Sequence, residues 1–584
     1  WAFDGVHLVY MQDEGGDENW HVFAVDVANR TTRDLTPFPG VRAFMAGRSR
    51  KIRGQILVSM NKRDKRYPDL FRCDLADGTL TLAAENPGFA YFVTDDNFKP
   101  RLAWKSTAAG GAEILRASDQ GFVPWLEVSP EDTANTNIIT LDAEGKRAFM
   151  HDSRGRNTAA LTSLDLATGK ETVMAEDSRA DIGGIIADRD THEPLAYTVT
   201  YAQSEHKAVG PTLQADLDFL SGNFGSEWTV SSRSEDDRLW TIAVSSDLKP
   251  AASYLYDRAE KTIRKLFDAR PKLAAAPLAA MHPVIIKSRD GLELVSYLTL
   301  PKGSDSVRPG RPDAPLPMVL LVHGGPWSRD HFGYSSMHQW LANRGYAVLS
   351  VNFRGSTGFG KAFSNAGDKE WGRKMDDDLL DGVAWAIAEK IADPKRIGIM
   401  GGSYGGYATL VALTRNPDVY ACGVDLVGPS ELELLIKTIP PYWASGRPKF
   451  VKAMGDPDTE AGRVLLRERS PIYKADRIKK PLLIAQGEND PRVKKEQSDQ
   501  IVETLQAKKI PVTYLLYRKE GHGFAEPENN ISFAAIAESF LAKCLGGRAA
   551  AITPADLKGA SVEIPVGAEL IEGYTSAKGA NLAQ

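Results

Sequence analysis

The chain has 584 residues, of which 42% are hydrophobic, 9% aromatic and 25% charged, a composition that excludes collagen, coiled coil and wholesale disorder. Its 71 Lys and Arg against 76 Asp and Glu leave a net charge of −5, which gives no electrostatic footprint for nucleic acid or an anionic membrane. No apolar run reaches the roughly 18 residues of a membrane span. Three cysteines, Cys73, Cys422 and Cys544, lie far apart and argue against a disulfide framework or a CxxC metal site. The sequence opens at Trp1 and runs straight into Val6-His-Leu-Val-Tyr10, so a trimmed amino end is expected. Both a cytoplasmic and an exported location fit it.

The first 270 or so residues carry short β-type runs, among them His21-Val-Phe-Ala-Val25, Asp69-Leu-Phe-Arg-Cys73, Ala159-Ala-Leu-Thr-Ser163 and Ala252-Ser-Tyr-Leu-Tyr256. An aspartate and a turn-like stretch follow each, at Asp26, Asp74, Asp165 and Asp257. These aspartates lie 48, 91 and 92 residues apart, and Asp119 divides the first long gap. A period near 46 matches the roughly 40–50 residues of a four-stranded propeller blade, where a β-sandwich would show no such repeat. The expectation is an all-β propeller over 1–275, with six to seven blades.

Three prolines in 270–283 mark the connection, with linker bounds expected at 276–290. Beyond it, apolar strands at 294–300, 318–322, 346–352, 396–400, 422–427, 481–486 and 512–517 alternate with helical stretches at 376–390, 407–415 and 496–508. Continuous apolar strands imply burial on both faces, hence a mostly parallel sheet wrapped by helices over 291–547. The Ala- and Gly-rich tail, 548–584, offers only a strand at 561–565.

The strongest chemical signal is Gly401-Gly-Ser403-Tyr-Gly405, set between a strand and a helix. That pattern is the nucleophile elbow of an α/β-hydrolase, in which glycines permit the sharp turn and the helix start favours negative charge. A serine hydroxyl needs a base, itself oriented by a carboxylate. Chain order Ser, Asp, His points to the loops after two later strands, which hold Asp490 and His522. Glu488 is the competitor to Asp490. The oxyanion hole is expected from the Tyr404 N–H and from Gly324 or Gly325 in Val322-His-Gly-Gly-Pro-Trp327. Gly355-Ser-Thr-Gly-Phe-Gly360-Lys361 resembles a phosphate-binding loop, but Ala362 stands where the Mg²⁺-binding hydroxyl belongs. No motif calls for a metal or cofactor.

A propeller followed by this hydrolase pattern resembles the prolyl oligopeptidase family over nearly the whole chain. His323-Gly-Gly-Pro326, Asn352-Phe-Arg-Gly-Ser-Thr-Gly358, Gly402-Ser-Tyr-Gly-Gly-Tyr407 and Asp490-Pro-Arg-Val493 are most similar to its acylaminoacyl-peptidase branch. The resemblance implies Ser403, Asp490 and His522 as the triad, and Arg492 as a donor to a substrate backbone carbonyl. His323 stands where other branches carry an oxyanion-supporting tyrosine, so backbone donors are expected to carry the hole, with His323 counted among the substrate-binding residues. Tyr442-Trp443 is expected to wall the pocket for the residue before the scissile bond. The Asp-Trp-x-x-Glu-Glu stretch of the dipeptidyl-peptidase-IV branch is absent, which weighs against dipeptide release.

The expected function is a cofactor-independent serine peptidase acting on short peptides through an acyl-enzyme, with activity falling as His522 becomes protonated. An esterase or amidase for non-peptide acyl compounds would use the same triad. A non-catalytic propeller protein with a vestigial hydrolase domain would not need four intact site elements. The partners expected are peptide substrates, with no nucleic acid and no membrane; a homo-oligomer is left open.

Overall fold

A computed structural model describes residues 1–273 and 275–582; Ala274, near the expected linker, and residues 583–584 of the expected tail lie outside the described residues. The amino-terminal region is a six-bladed β-propeller. Its antiparallel sheets of three or four strands open at His7, Ala43, Tyr91, Asn137, Ile182 and Trp228. Asp26, Asp74, Asp165 and Asp257 each end a strand, and each carboxylate accepts the backbone N–H two residues on, at 2.9–3.1 Å. This Asx-turn is the physical source of the repeat. At the equivalent turn after Ala112–Ser118 the Ser118 hydroxyl takes the role, accepting from Gln120 N–H.

The carboxy-terminal half is built on nine strands: β1 (Met281–Lys287), β2 (Glu293–Thr299), β3 (Leu316–Val322), β4 (Ala347–Val351), β5 (Ala392–Gly402), β6 (Cys422–Leu426), β7 (Leu482–Gly487), β8 (Val512–Tyr517) and β9 (Val562–Val566). Their order is β1-β2-β4-β3-β5-β6-β7-β8-β9. The inner strands β4, β3, β5, β6, β7 and β8 run parallel, and β1, β2 and β9 are antiparallel additions at the two edges. This is the α/β-hydrolase sheet. Along β3, Met318, Leu320 and Val322 join the core on one face while Val319 joins the core on the other, the period of two that a doubly covered strand requires.

Two expectations differ from this. The stretch 276–290 is not only linker: β1 lies within it and pairs along its full length with β2. Its prolines concealed the strand, since Pro283 can stand only where no ladder hydrogen bond is needed. A disulfide also joins Cys422 to Cys544, with Cα atoms 6.4 Å apart and a sequence separation of 122. Cys422 lies on β6, and Cys544 on the helix Pro527–Leu545, which packs across that face of the sheet. Sequence spacing carries no information about such a contact. Cys73 stays a buried thiol, its pKa pushed up to about 11 by burial.

The stretch that resembles a phosphate-binding loop is a strap between the two halves. Lys361 Nζ reaches Asp132 Oδ1 at 2.6 Å and the Ser153 carbonyl at 3.0 Å, and the Ala362 N–H donates to Asn157 Oδ1 at 2.9 Å. Just before it, Arg354 is buried and forks onto Asp378 (2.7 and 2.8 Å) and Asp290 (2.7 and 2.9 Å). The fork pins the loop after β4, whose Phe353 ring stacks on His323 at 4.5 Å and on Tyr404 at 5.1 Å. Arg354 holds the Asp290 carboxyl well below the usual carboxylate range. That contribution to stability is present above the unfolded-state value and is lost as pH falls through the depressed one.

A non-reducing peptide map should therefore yield one cross-linked species carrying Cys422 and Cys544, and reduction should cost about 2–4 kcal/mol in urea unfolding. Arg354→Met should cost about 3–5 kcal/mol, since it strands the buried Asp378, and adding Asp378→Asn should recover part of that loss in the same assay.

Candidate active site

The end of β5 and the helix α1 (Tyr404–Arg415) meet at Ser403, whose backbone sits at φ 57° and ψ −118°, in the strained region typical of a nucleophile elbow. The strand-to-helix reversal leaves no room for side chains at its flanks. A Cβ on Gly401 would lie 2.6 Å from the Val322 carbonyl oxygen, and one on Gly405 would lie 2.2 Å from the same atom. The Ser403 N–H is held by the Leu426 carbonyl at 2.8 Å, so the residue is fixed while its hydroxyl projects from the turn.

His522 Nε2 stands 2.9 Å from Ser403 Oγ, and His522 Nδ1 stands 2.7 Å from Asp490 Oδ2. The other carboxylate oxygen of Asp490 accepts the Arg492 and Val493 N–H groups at 2.8 and 2.9 Å, and the side chain is buried. A carboxylate held on both oxygens orients the imidazole with Nδ1 protonated and leaves Nε2 free to accept the serine proton. Glu488, the competing acid, faces outward and pairs with Arg518 at 2.7 Å. The three residues singled out in the sequence thus come together with the geometry that nucleophilic catalysis needs.

Gly324 packs against the nucleophile: a Cβ there would sit 3.4 Å from that of Ser403. His323 Nδ1 lies 2.7 Å from the Gly324 carbonyl, and Nε2 lies 2.9 Å from Ser356 Oγ. Since a carbonyl only accepts, Nδ1 carries the proton. Burial pushes the ring pKa down to about 4, so the imidazole stays neutral. In a trans peptide the C=O and N–H point opposite ways, so holding the Gly324 carbonyl turns the Gly325 N–H away from the ring. Neither nitrogen of His323 is thus left over for the substrate contact expected of it from sequence. Both its nitrogens are spent within the protein, and it orients the glycine loop. The Tyr404 N–H is an orphan donor at the helix start; its side chain is buried against Trp371 and Phe353.

The propeller contributes to this site through a loop that carries no catalytic motif, Asp13-Glu-Gly-Gly-Asp-Glu-Asn19. Gly16 and Gly521 are in backbone contact, with a Cβ on Gly16 only 2.2 Å from the Gly521 nitrogen, and Asn489 Nδ2 donates to the Gly15 carbonyl at 2.8 Å. The loop is thereby wedged against both the His522 loop and the Asp490 loop. It presents Glu18, at φ 58° and 5% exposed. Arg492 Nε donates to Glu18 Oε1 at 2.5 Å, the Tyr442 hydroxyl donates to Oε2 at 2.8 Å, and Arg42 stands 3.6 Å from Oε2 over the Tyr442 ring. The two terminal nitrogens of Arg492 make no hydrogen bond among the described residues. Trp443 stacks on Phe450, which meets Trp327 edge-on, giving an aromatic wall from the oxyanion loop toward Arg492. Glu18 and Arg42 were legible only as an acidic turn and an isolated cation. Their one signal was a dense acidic loop with two glycines near the chain start.

Comparison with known proteins agrees with this architecture. Residues 332–548 match the model of the prolyl oligopeptidase family. The dipeptidyl aminopeptidase BIII of Pseudoxanthomonas mexicana is 51% identical over 579 residues, covering 99% of this chain and 84% of that protein. The acylamino-acid-releasing enzyme of Sus scrofa is 31% identical over 240 residues, 41% of this chain and 32% of its own. A solved Mycobacterium tuberculosis puromycin-hydrolyzing peptidase superposes with a TM-score of 0.72 at 18% identity, over 94% of this chain and 87% of that one. Sharing half of its residues with one such enzyme along nearly its whole length, the chain belongs to the prolyl oligopeptidase family and is a serine peptidase.

Proposed function

We propose that the chain releases dipeptides from the free amino termini of short peptides. The observation that carries this reading is the Glu18 carboxylate, brought by the propeller to the side of the triad and shared among Arg492, Tyr442 and Arg42. A buried carboxylate balanced by two guanidinium groups can accept a further ammonium group at its remaining lone pairs. An anchor there would count two residues back from the scissile bond. The 51% identity to a dipeptidyl aminopeptidase runs through the propeller that bears Glu18, which supports the same reading.

In this mechanism His522 takes the Ser403 proton as Oγ attacks the carbonyl of the second residue, while Asp490 orients the imidazole. The Tyr404 and Gly325 N–H groups stabilise the oxyanion, with Gly324 shaping the approach. The free nitrogens of Arg492 donate to the first peptide carbonyl. His522 then protonates the leaving amine, and water releases the dipeptide from Ser403. Tyr442 and Trp443 wall the substrate's amino-terminal side, and the propeller above admits peptides and flexible tails.

Ser403→Ala should lower kcat by about a million-fold on any peptide substrate, measured by product release; retained turnover would end the assignment. Glu18→Gln should lower kcat/KM on a free-amine dipeptidyl p-nitroanilide by roughly 30-fold or more, the loss of about 2 kcal/mol, with no matching loss on the Nα-acetylated analogue. Wild-type preference for the acetylated compound would overturn dipeptide release in favour of acylaminoacyl release.

A further inference from the structure

One cleft lies at the carboxy-terminal end of α1, against Val411, Thr414 and Arg415. It encloses about 540 Å³, within the range of small-molecule sites. Its charged lining is one-sided: Arg373, Arg415, Arg469, Lys474 and Arg477 against Glu468 alone. Such a concentration of cations in a concave site costs free energy unless each is paired or fully hydrated.

The pairing is incomplete. Arg415 is neutralised from beneath by Asp376 and Asp377, both at 2.7 Å, and Arg373 lies 3.8 Å from Glu370. Among the described residues Arg469 reaches only the Glu468 carboxylate, at 3.5 Å, and its Nε is buried without a hydrogen-bond partner. Lys474 donates to the Glu468 carbonyl at 2.5 Å but has no carboxylate partner, and Arg477 has none either, among the described residues. Burial, opposed by Glu468 and reinforced by Arg469 and Arg477, pushes the Lys474 ammonium below its ordinary range. Three cations thus share one carboxylate around a space that can hold a ligand.

We propose that this cleft binds a small, compact polyanion of the condensed-phosphate class. Guanidinium forks and an ammonium converging on one cavity match several phosphate oxygens at once. Among the described residues no aromatic side chain lines the cleft, so it offers no platform for a nucleobase. The apolar lining is limited to Val411 and Pro471, which disfavours a lipid tail. The cleft also touches the catalytic framework. The Tyr407 hydroxyl donates to the Arg469 carbonyl at 2.8 Å, and Tyr407 lies one turn along α1 from Ser403. An occupant would bear on the wall behind the nucleophile without meeting the substrate.

Binding is independent of the peptidase reading and is read without turnover, by isothermal titration of tripolyphosphate into the full chain at low salt. The expected result is saturable one-to-one binding that weakens as salt is raised. Lys474→Glu with Arg477→Glu should weaken it at least tenfold while free-amine peptide hydrolysis and thermal midpoint stay near wild type. Should that double variant not fold, Lys474→Gln alone should weaken binding measurably. Absence of saturable heat up to about 1 mM ligand, a level at which a site of two or more converging charge pairs should fill, would overturn the proposal. So would equal affinity in wild type and variant, or ATP binding at least tenfold more tightly than tripolyphosphate.

Discussion

The catalytic half depends on a backbone contact with no space for a methyl group. Gly401 and Gly405 both approach the Val322 carbonyl at the point where β5 reverses into α1. That approach lets the helix start directly behind Ser403, and it forces the serine into a positive-φ conformation that a residue with a Cβ adopts only under constraint. The contact also locks the end of β3, and with it the glycine loop, beside the nucleophile. One steric condition therefore sets Ser403 beside the loop proposed to supply oxyanion donors, and the hydrogen bonds from Ser403 N–H to the Leu426 carbonyl and from His323 Nδ1 to the Gly324 carbonyl then orient the two. Preorganised donors of this kind need no reorganisation during the reaction, which is where their catalytic value lies.

Around that contact the protein uses buried charge as scaffold. Arg354 and Asp378 are both nearly inaccessible, an arrangement that gains little net stability over apolar packing but is costly to break in half. Its consequence is positional. It fixes the loop carrying Phe353 and Ser356, which support His323 from one side by stacking and from the other by a polar contact. The neutral His323 then orients the glycine peptide. A chain of three contacts thus links a buried ion pair to the direction of one backbone N–H.

The second half of the site comes from another domain. The propeller loop bearing Glu18 meets the Asp490 and His522 loops through backbone packing at Gly16 and Gly521, while Lys361 and Asn157 strap the domains together on another face. A peptidase that must count residues from a free amino terminus needs an acid at a set distance from its nucleophile. In the proposed function, placing that acid on the propeller makes the packing of the two domains a condition for recognising the substrate end.

Much of this was legible in the sequence. Aspartates ending strands about 46 residues apart reveal the blades, because each caps its turn locally through its own side chain. The candidate triad was legible because Ser403, Asp490 and His522 each follow a strongly apolar strand, and chain order in this fold is set by sheet topology. Short-range chemistry and periodicity are properties of the chain itself. The disulfide between Cys422 and Cys544, the strand inside the proline-rich connection, the real task of Lys361 and the partnership of Glu18 with Arg492 are different in kind. Each joins groups far apart in sequence, and nothing local distinguishes them from an inert cysteine, a linker, a surface lysine or an acidic turn. Only the tertiary structure decided those, because burial, steric clearance and charge pairing exist only once distant segments share the same space.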